Sequence, residues 1–281
     1  MTKLLELRQK YLQEVCQRAI FLKSKNVPSI ADVGSSLSKS LSWSIIEQIG
    51  FSVNEQKIRG QTAGKNFEEA TKNFLEEAFS LLTHLRPGNW QFSVQGNISS
   101  FEQYHHLAEL TDLVKAYKQL PAALGDYVVK PDIVVARFPV TDVEINQFQD
   151  IVDSQSPPKL TPLRSSNLPN PLPTLHASIS CKLTLRSDRS QNARTEGLNL
   201  IRNRKGHTPH IVALTAEPMP TRIASLALGT GDIDCVYHFA LPELILAVQA
   251  MQNEAVTDSL MVMIEGKRLR DIADLPFDLA M

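Results

Sequence analysis

Two segments of the sequence carry side chains suited to the hydrolysis of a phosphodiester. Asp132 opens the apolar run DIVVARF, and Lys182 shares the polar face of a strand-like segment with Ser178 and Ser180. Carboxylates can hold Mg²⁺, which polarises a phosphoryl oxygen and supplies hydroxide, and a lysine can stabilise developing negative charge. An acid at the start of a buried strand must be paired, capped or bound to a metal. Asp132 and Lys182 therefore predict the core of a metal-dependent nuclease site.

Two glutamates could complete such a site. Nuclease sites of this kind usually place an acid two residues before the lysine, but Ser180 occupies that position. Glu196, which follows Lys182 by fourteen residues on a predicted helix, could supply the missing carboxylate. Glu68, in the first turn of another predicted helix, could point at the same cluster. From the residues alone both glutamates are also typical of exposed helix positions, so both interpretations stay open.

A dense basic segment follows the lysine. Residues 182–205 contain seven basic and two acidic side chains, a net charge of +5, which leaves −6 for the rest of the chain. Such a patch attracts a polyanion, although a solvated helix face would show the same charges. Arg186, Asp188 and Arg189 suit G·C pairs, because arginine fits guanine O6 and N7 and aspartate accepts from cytosine N4. A salt-bridged helix cap is the simpler alternative, and Arg222 could join either arrangement.

The composition is that of a soluble globular protein rather than a membrane or secreted one. The chain has 281 residues, of which 43% are hydrophobic and 21% charged, and no apolar run approaches the roughly 20 residues of a membrane span. The N-terminus is too charged for a signal peptide, and three widely spaced cysteines suit a reducing compartment. We therefore expect a cytoplasmic protein with no membrane partner. The sequence contains neither a Walker phosphate loop nor a dinucleotide-binding glycine motif.

The hydrophobic pattern alternates between helical and extended periods. It predicts helices over residues 3–23, after Gly64, over 104–120, from 187 or 190 to 203, and over 242–253. It predicts strands in WQFSVQG, in YVVKPDIVVARF with an interruption at Pro131, in residues 176–186, in PHIVALTAE and in CVYHFAL. Residues 30–44, rich in serine and glycine, predict a loop, and the proline-rich residues 152–174 predict a long excursion. We expect a single α/β domain over residues 1–281, with a mixed central sheet flanked by helices.

Five segments form a set that is familiar as a whole: GQTAGKNFEEA, KPDIVVAR, HASISCKLTLRSDRSQNARTEGLNLIRNRKG, RIASLALGTGDIDCVYHFAL and GKRLRDIADLP. Together they closely resemble the NgoMIV-type family of restriction endonucleases, a tetrameric type IIF group. The resemblance is dense from about residue 172 to 245 and clear from 58 to 136, but thin in the first 55 residues and the proline-rich segment. It implies a restriction-endonuclease-like fold of the α/β class.

The resemblance implies a role for each candidate catalytic residue. Glu68 resembles the helix carboxylate of the site, and Asp132 resembles its central, bridging metal ligand. The residues SCK at 180–182 match a family signature in which the main-chain oxygen of Cys181 binds a metal and Lys182 is the catalytic lysine. Glu196 resembles the acid that has moved from the strand to the helix.

The resemblance also implies residues that contact DNA. Arg186, Asp188 and Arg189 resemble the major-groove contacts, and Arg222 resembles an arginine that reaches an outer G·C pair. Gln61 and Asp32 resemble further DNA contacts, although Asp32 lies where the resemblance is thin.

The activity implied by the family is Mg²⁺-dependent cleavage of double-stranded DNA, with two ions in each active site. The expected target is GCCGGC, cut after the first G to leave 5′-CCGG overhangs. A homotetramer built from two dimers would bind two copies of the site. The alternative is a catalytically weak DNA-binding or repair-associated relative of the same fold, which the intact set of carboxylates and lysine disfavours.

Overall fold

A computed structural model of the chain describes residues 1–23, 26–108, 112, 129–167, 169–229 and 231–281. Strands β1 (Leu22–Lys23) and β2 (Val27–Pro28) form a small antiparallel pair. The other strands form one sheet in which neighbours in the chain are neighbours in space: β3 (Trp90–Val94), β4 (Ile133–Arg137), β5 (Thr174–Lys182), β6 (His210–Thr215), β7 (Cys235–His238) and β8 (Leu269–Asp271). β4 is antiparallel to both of its neighbours, β3 and β5, and β5 to β8 run parallel.

Helices cover both faces of this sheet. In chain order they are α1 (Lys3–Arg18), α2 (Ser36–Ile49), α3 (Gly60–Ser80), α4 (Asp142–Ile145), α5 (Ser187–Asn203), α6 (Pro220–Ala227), α7 (Leu241–Ala250), α8 (Glu254–Glu265) and α9 (Leu275–Ala280). The prediction of an α/β fold with a mixed central sheet flanked by helices is confirmed. No helix among the described residues is long and apolar enough to cross a membrane.

Strand β4 shows why the sheet is central. Its side chains alternate between two hydrophobic clusters, with Ile133 and Val135 in one and Val134 and Ala136 in the other. A strand covered on both faces needs apolar residues at every position, which explains the continuous run. Asp132, the polar residue just before that run, thus lies at the edge of a fully packed layer.

The register of β5 sets the geometry at that edge. Ile133 pairs with Ile179 across the antiparallel β4–β5 ladder, so Asp132 lies beside the last residues of β5. On its other side β5 runs parallel to β6, with Cys181 level with Leu214. The end of β5 therefore has a carboxylate on one side and buried backbone on the other.

The predicted loop over residues 30–44 is wrong, because α2 begins at Ser36. The hydroxyl of Ser35 caps the helix by accepting a hydrogen bond from Ser38 N at 3.1 Å. Ser38 and Ser42 are fully buried, and Ser42 Oγ donates to Ser38 O at 2.7 Å. Serines whose hydroxyls are satisfied locally fit a packed helix, although their composition suggests a loop.

Other predicted boundaries also differ from the structure. The helix predicted over residues 3–23 ends at Arg18, with residues 22–23 in β1, and the one predicted over 242–253 spans Leu241–Ala250. Helix α3 begins at Gly60 rather than after Gly64, which moves Glu68 from the first turn into the third. Strand β5 ends at Lys182 rather than at residue 186, because the N–H of Leu185 donates to Glu217 instead of to a neighbouring strand. The run CVYHFAL is a strand only to His238, after which α7 begins.

The helix predicted over residues 104–120 is only partly within the described chain. Residues Glu102–Leu107 form a 3₁₀ helix, and residues 109–111 and 113–120 lie outside the described residues. The predicted helix beginning at 187 or 190 is observed as α5, from Ser187.

The chain between β4 and β5, which contains the proline-rich residues 152–174, is closed at its base by Arg164. This guanidinium is 3% exposed and donates to both oxygens of Asp142, from Nε at 2.6 Å and from Nη2 at 2.7 Å. A parallel bridge joins Val140 to the same residue. Beyond this base the segment presents apolar side chains to solvent, with Phe148 93% and Leu160 94% exposed.

Candidate active site

Asp132 and Lys182 form the centre of the candidate site. Lys182 Nζ donates to Asp132 Oδ2 at 2.7 Å, and the main-chain N–H of Cys181 donates to the same oxygen at 2.7 Å. Burial alone would lower the pKa of Lys182, but the nearby carboxylates of Asp132 and Glu196 raise it above its ordinary value. Lys182 is therefore a charged ammonium group held against one oxygen of Asp132.

Cys181 contributes its backbone rather than its thiol. The side chain lies in the hydrophobic core, 8% exposed, and burial raises the pKa of the thiol well above its usual range. A buried neutral thiol is a poor nucleophile. Because the N–H and C=O of one strand residue point to the same side, the Cys181 carbonyl points towards the side on which Asp132 lies.

Glu196 reaches the same place from α5. Ser180 Oγ donates to Glu196 Oε2 at 3.3 Å, which places the carboxylate over the end of β5. Burial raises the pKa of Glu196, an effect that the charge of Lys182 opposes. The helix thus brings an acid to the strand position that Ser180 leaves without one.

Glu68 approaches the cluster from α3. It follows the fully buried Phe67, and burial together with the Asp132 carboxylate raises the pKa of Glu68 to about 7. The neighbouring side chain of Gln95 and the charge of Lys182 act in the opposite direction on that pKa. The adjacent Glu69 points outward, 3.5 Å from Arg18 and half exposed. Of the two neighbouring acids, the structure brings only Glu68 to the cluster.

The donor set fits a divalent cation that is bound partly by the backbone. Among the described residues no group of three His, Cys, Asp or Glu side chains is arranged as a complete metal cage. What converges is the carboxylates of Glu68 and Asp132, beside a strand carbonyl. Oxygen ligands of this kind suit Mg²⁺, which usually keeps several waters and binds through one or two carboxylates. The Asp132 carboxylate contributes to the raised pKa of Glu68, and a cation bound beside both acids would oppose that effect.

Next to this cluster lies a cavity of about 260 Å³ that we call the basic cleft. Its charged lining residues are Lys23, Asp32, Arg186, Arg189 and Arg222. They come from the β1–β2 region, the start of α5 and α6. Four cations and one carboxylate surround the cleft, so it has the electrostatic character of a polyanion-binding site.

Contacts inside the cleft fix several of these side chains. The guanidinium of Arg222 donates to the Asp32 carboxylate, and Arg189 Nη1 donates to Thr184 Oγ1 at 2.7 Å. The bond with Arg222 lowers the pKa of Asp32. The structure thus pairs Arg222 with Asp32, two candidates that lie 190 residues apart in the chain.

The remaining candidates lie at the rim. Asp188 is exposed in the first turn of α5, two residues after Arg186, which caps the helix. Gln61 is exposed in the first turn of α3, next to Gly60, which lines the cleft. Both belong to the same surface as the arginines, and neither side chain has a hydrogen-bond partner among the described residues.

Three residues at the site were not singled out from the sequence. Lys23 lines the basic cleft, and burial together with the charges of Arg186 and Arg189 lowers its pKa. Gln95 has a left-handed backbone, φ 56°, and its N–H donates to Asp132 O at 2.8 Å. Glu217 is completely buried beneath the cleft. Of these three residues, only Gln95 had a signal in the sequence: Gln95-Gly96 ends a predicted strand, which is typical of a tight turn.

The chain matches the family model described as NgoMIV restriction enzyme over residues 11–281. It is 46% identical over 263 residues to the type II restriction enzyme NgoMIV of Neisseria gonorrhoeae, an alignment that covers 92% of this chain and 91% of that protein.

Two solved structures also align with the chain. They are a restriction endonuclease PspGI–substrate DNA complex, with TM-score 0.33 and 13% identity over 99% of this chain and 92% of that one, and the type IIF restriction endonuclease Bse634I with cognate DNA, with TM-score 0.28 and 12% identity over 97% and 91%. Likenesses at this level carry no argument, so the assignment depends on the family model and the sequence identity. By both, this chain belongs to the NgoMIV restriction enzyme family of type II restriction endonucleases.

Proposed function

We propose that this enzyme hydrolyses double-stranded DNA at a CCGG-core site in a Mg²⁺-dependent reaction with two ions per active site. The proposed target is GCCGGC, cut after the first G to leave 5′-CCGG overhangs. The observation that supports this proposal best is the 2.7 Å contact between Lys182 Nζ and Asp132 Oδ2, directly beside the basic cleft. A phosphodiester bound in the cleft would lie next to the catalytic group.

In this proposal Glu68, Asp132 and the main-chain oxygen of Cys181 hold the metal. When bound, Mg²⁺ supplies polarisation of the phosphoryl oxygen and a water of lowered pKa. Lys182, charged and held by Asp132, stabilises negative charge that develops on the phosphate. Glu196 supplies the further carboxylate, positioned by its contact with Ser180.

Sequence specificity is proposed to come from the cleft and its rim. Arg186, Asp188 and Arg189 would contact the CCGG core in the major groove, with arginine bound to guanine O6 and N7 and aspartate to cytosine N4. Arg222, oriented by Asp32, would contact the outer G·C pair, and Gln61 would add a contact from the start of α3. The concentration of cations here supports binding to the phosphates as well.

We further propose that residues 1–281 form one catalytic domain that assembles as a homotetramer, with two dimers binding two copies of the site. The apolar surface between β4 and β5 supports this, because large side chains such as Phe148 and Leu160 are almost fully exposed on a base fixed by Arg164. Assembly through this segment would cover both side chains, since contiguous apolar surface is typical of protein interfaces.

Sedimentation tests the assembly. A Phe148→Ser, Leu160→Ser double variant should sediment as a dimer, whereas Leu85→Ser, at an exposed apolar residue outside this segment, should remain tetrameric. Tetramers in the double variant would contradict this interface.

One digest tests the reaction itself. Plasmid DNA that contains GCCGGC is incubated with the enzyme and Mg²⁺, and the fragment ends are sequenced. We expect 5′-CCGG overhangs at that site alone, and ends outside a CCGG core would overturn the specificity.

The reaction is proposed to take place in the cytoplasm, where the three free, buried cysteines stay reduced.

A further inference from the structure

Glu217 has no part in the proposed chemistry, yet it is completely buried below the basic cleft. A carboxylate is almost never buried in this way unless it has partners. We propose that Glu217 is a positioning residue that holds the two base-contacting segments at a fixed spacing and so contributes to sequence discrimination without touching DNA. The inference rests on the proposed function, because it assigns the cleft to DNA.

The carboxylate joins the starts of two helices. Glu217 Oε2 accepts from the N–H of Leu185 at 2.8 Å, and Oε1 accepts from the N–H of Met219 at 3.2 Å. Leu185 directly precedes Arg186, the residue that caps α5. Met219 caps α6, which carries Arg222. The side chain of Glu217 therefore fixes the backbone in two places: next to the residues proposed to contact the CCGG core, and next to the arginine proposed to contact the outer G·C pair.

The same carboxylate restricts Arg222 directly. Glu217 Oε1 lies 3.8 Å from Arg222 Nη1, while Asp32 accepts from Nη2 of the same guanidinium. An arginine held between two carboxylates has few rotamers left, but its side chain is still 32% exposed. Its remaining N–H groups are therefore held in one defined direction, as bidentate recognition of a base requires.

Glu217 is itself anchored to the sheet, so it cannot follow a movement of the helices. Its N–H donates to Thr215 Oγ1 at 3.1 Å, at the end of β6. His238 Nε2, on β7, donates to Glu217 O at 3.2 Å. Thr215 Oγ1 also donates to Lys182 O at 2.8 Å. Both base-contacting segments are thus held in position relative to the strand ends that carry the catalytic lysine.

A Glu217→Gln substitution tests the proposal. Glutamine has one acceptor oxygen instead of two, so the N–H of either Leu185 or Met219 loses its acceptor. The amide NH₂ group of the glutamine would then face that unpaired N–H or the guanidinium of Arg222. Dissociation constants are measured without metal on a GCCGGC duplex and on duplexes altered symmetrically in the core or in the outer pair. The preference for the cognate duplex should fall about tenfold or more at both kinds of position. Arg222→Ala should lose only the outer preference.

Glu243→Gln is the matched control. Glu243 is a partly buried carboxylate, with a side chain 14% exposed, and it pairs with Arg8 rather than with a residue of the cleft. Urea unfolding of both variants should show a loss of stability, whereas discrimination should fall only in Glu217→Gln. Equal discrimination in Glu217→Gln and wild type would overturn the proposal, as would an equal loss in the control.

Two further outcomes are distinguishable from these. A wild-type protein that does not prefer GCCGGC would contradict the proposed function itself rather than the role of Glu217. If Glu217→Gln does not fold, Glu217→Asp keeps the charge but is too short to reach both N–H groups. It should then show the same loss at core and outer positions, and full discrimination in that variant would exclude the positioning role.

Discussion

A single methyl group added to α5 should move Glu196 without changing its carboxylate, and so should test whether the position of this acid matters for catalysis. Gly197 packs so closely that a Cβ built on it would lie 2.3 Å from Asp232 O, where real Cβ contacts stay above 3.0 Å. Gly197→Ala must therefore displace backbone by at least 0.7 Å. Glu196 is the adjacent residue, and its contact with Ser180 is already 3.3 Å long. The variant keeps every proposed catalytic group but moves one of them.

The expected sizes follow from this displacement. Overpacking costs about 1–3 kcal/mol, and the better helix propensity of alanine offsets about 1 kcal/mol of it, so the protein should stay folded. A misplacement of about 1 Å can cost about 10²-fold in rate. We therefore expect a stability loss of at most about 2 kcal/mol with a rate loss of about 10²-fold.

Single-turnover cleavage of a GCCGGC duplex at saturating enzyme, with Mg²⁺, measures the chemical step, and urea unfolding measures stability. Leu198→Ala is the control, because this neighbour lies on the same helix with its side chain 36% exposed, and it should cleave at the wild-type rate. Wild-type cleavage by Gly197→Ala would refute the argument that α5 must place Glu196 against the strand end.

The other predictions concern the lysine, the base contacts and acid stability. Lys182→Met should lower the cleavage rate by about 10²–10³-fold and keep site-specific binding in a gel-shift assay; loss of both would make the residue structural. Asp188→Asn or Arg189→Gln should each remove about 1–3 kcal/mol of base discrimination, whereas an equal loss on all sequences would indicate phosphate contacts. Burial lowers the pKa of His238 from 6.5 to about 4, so the folded state resists its protonation. This contribution to stability is complete above pH 6.5 and is lost as the pH falls towards 4. His238→Gln should therefore lose less stability than wild type between those pH values in urea unfolding, and identical losses would contradict the assignment.

Much of the fold was predictable because its signals are local. The run after Asp132 is apolar at every position, as a doubly covered strand requires, and α5 follows β5 with helical spacing. The errors arose where one pattern permits two structures. The serine-rich residues 30–44 suggested a loop, but Ser35 caps α2 and Ser38 and Ser42 are buried within it. The end of β5 depended on Glu217, a distant partner that no local pattern reveals.

The sequence by itself determined which chemistry is present: an acid opening a buried strand, a lysine on a polar strand face, and a basic segment with arginine and aspartate. It also determined the family, since those residues occur in one recognisable set. Only the tertiary structure decided which acids meet the lysine. Glu68 lies on α3, and Asp132 meets Lys182 through the antiparallel register of β4 and β5. Contacts between residues so far apart in the chain depend on sheet register and helix packing, which hydrophobic periodicity does not specify.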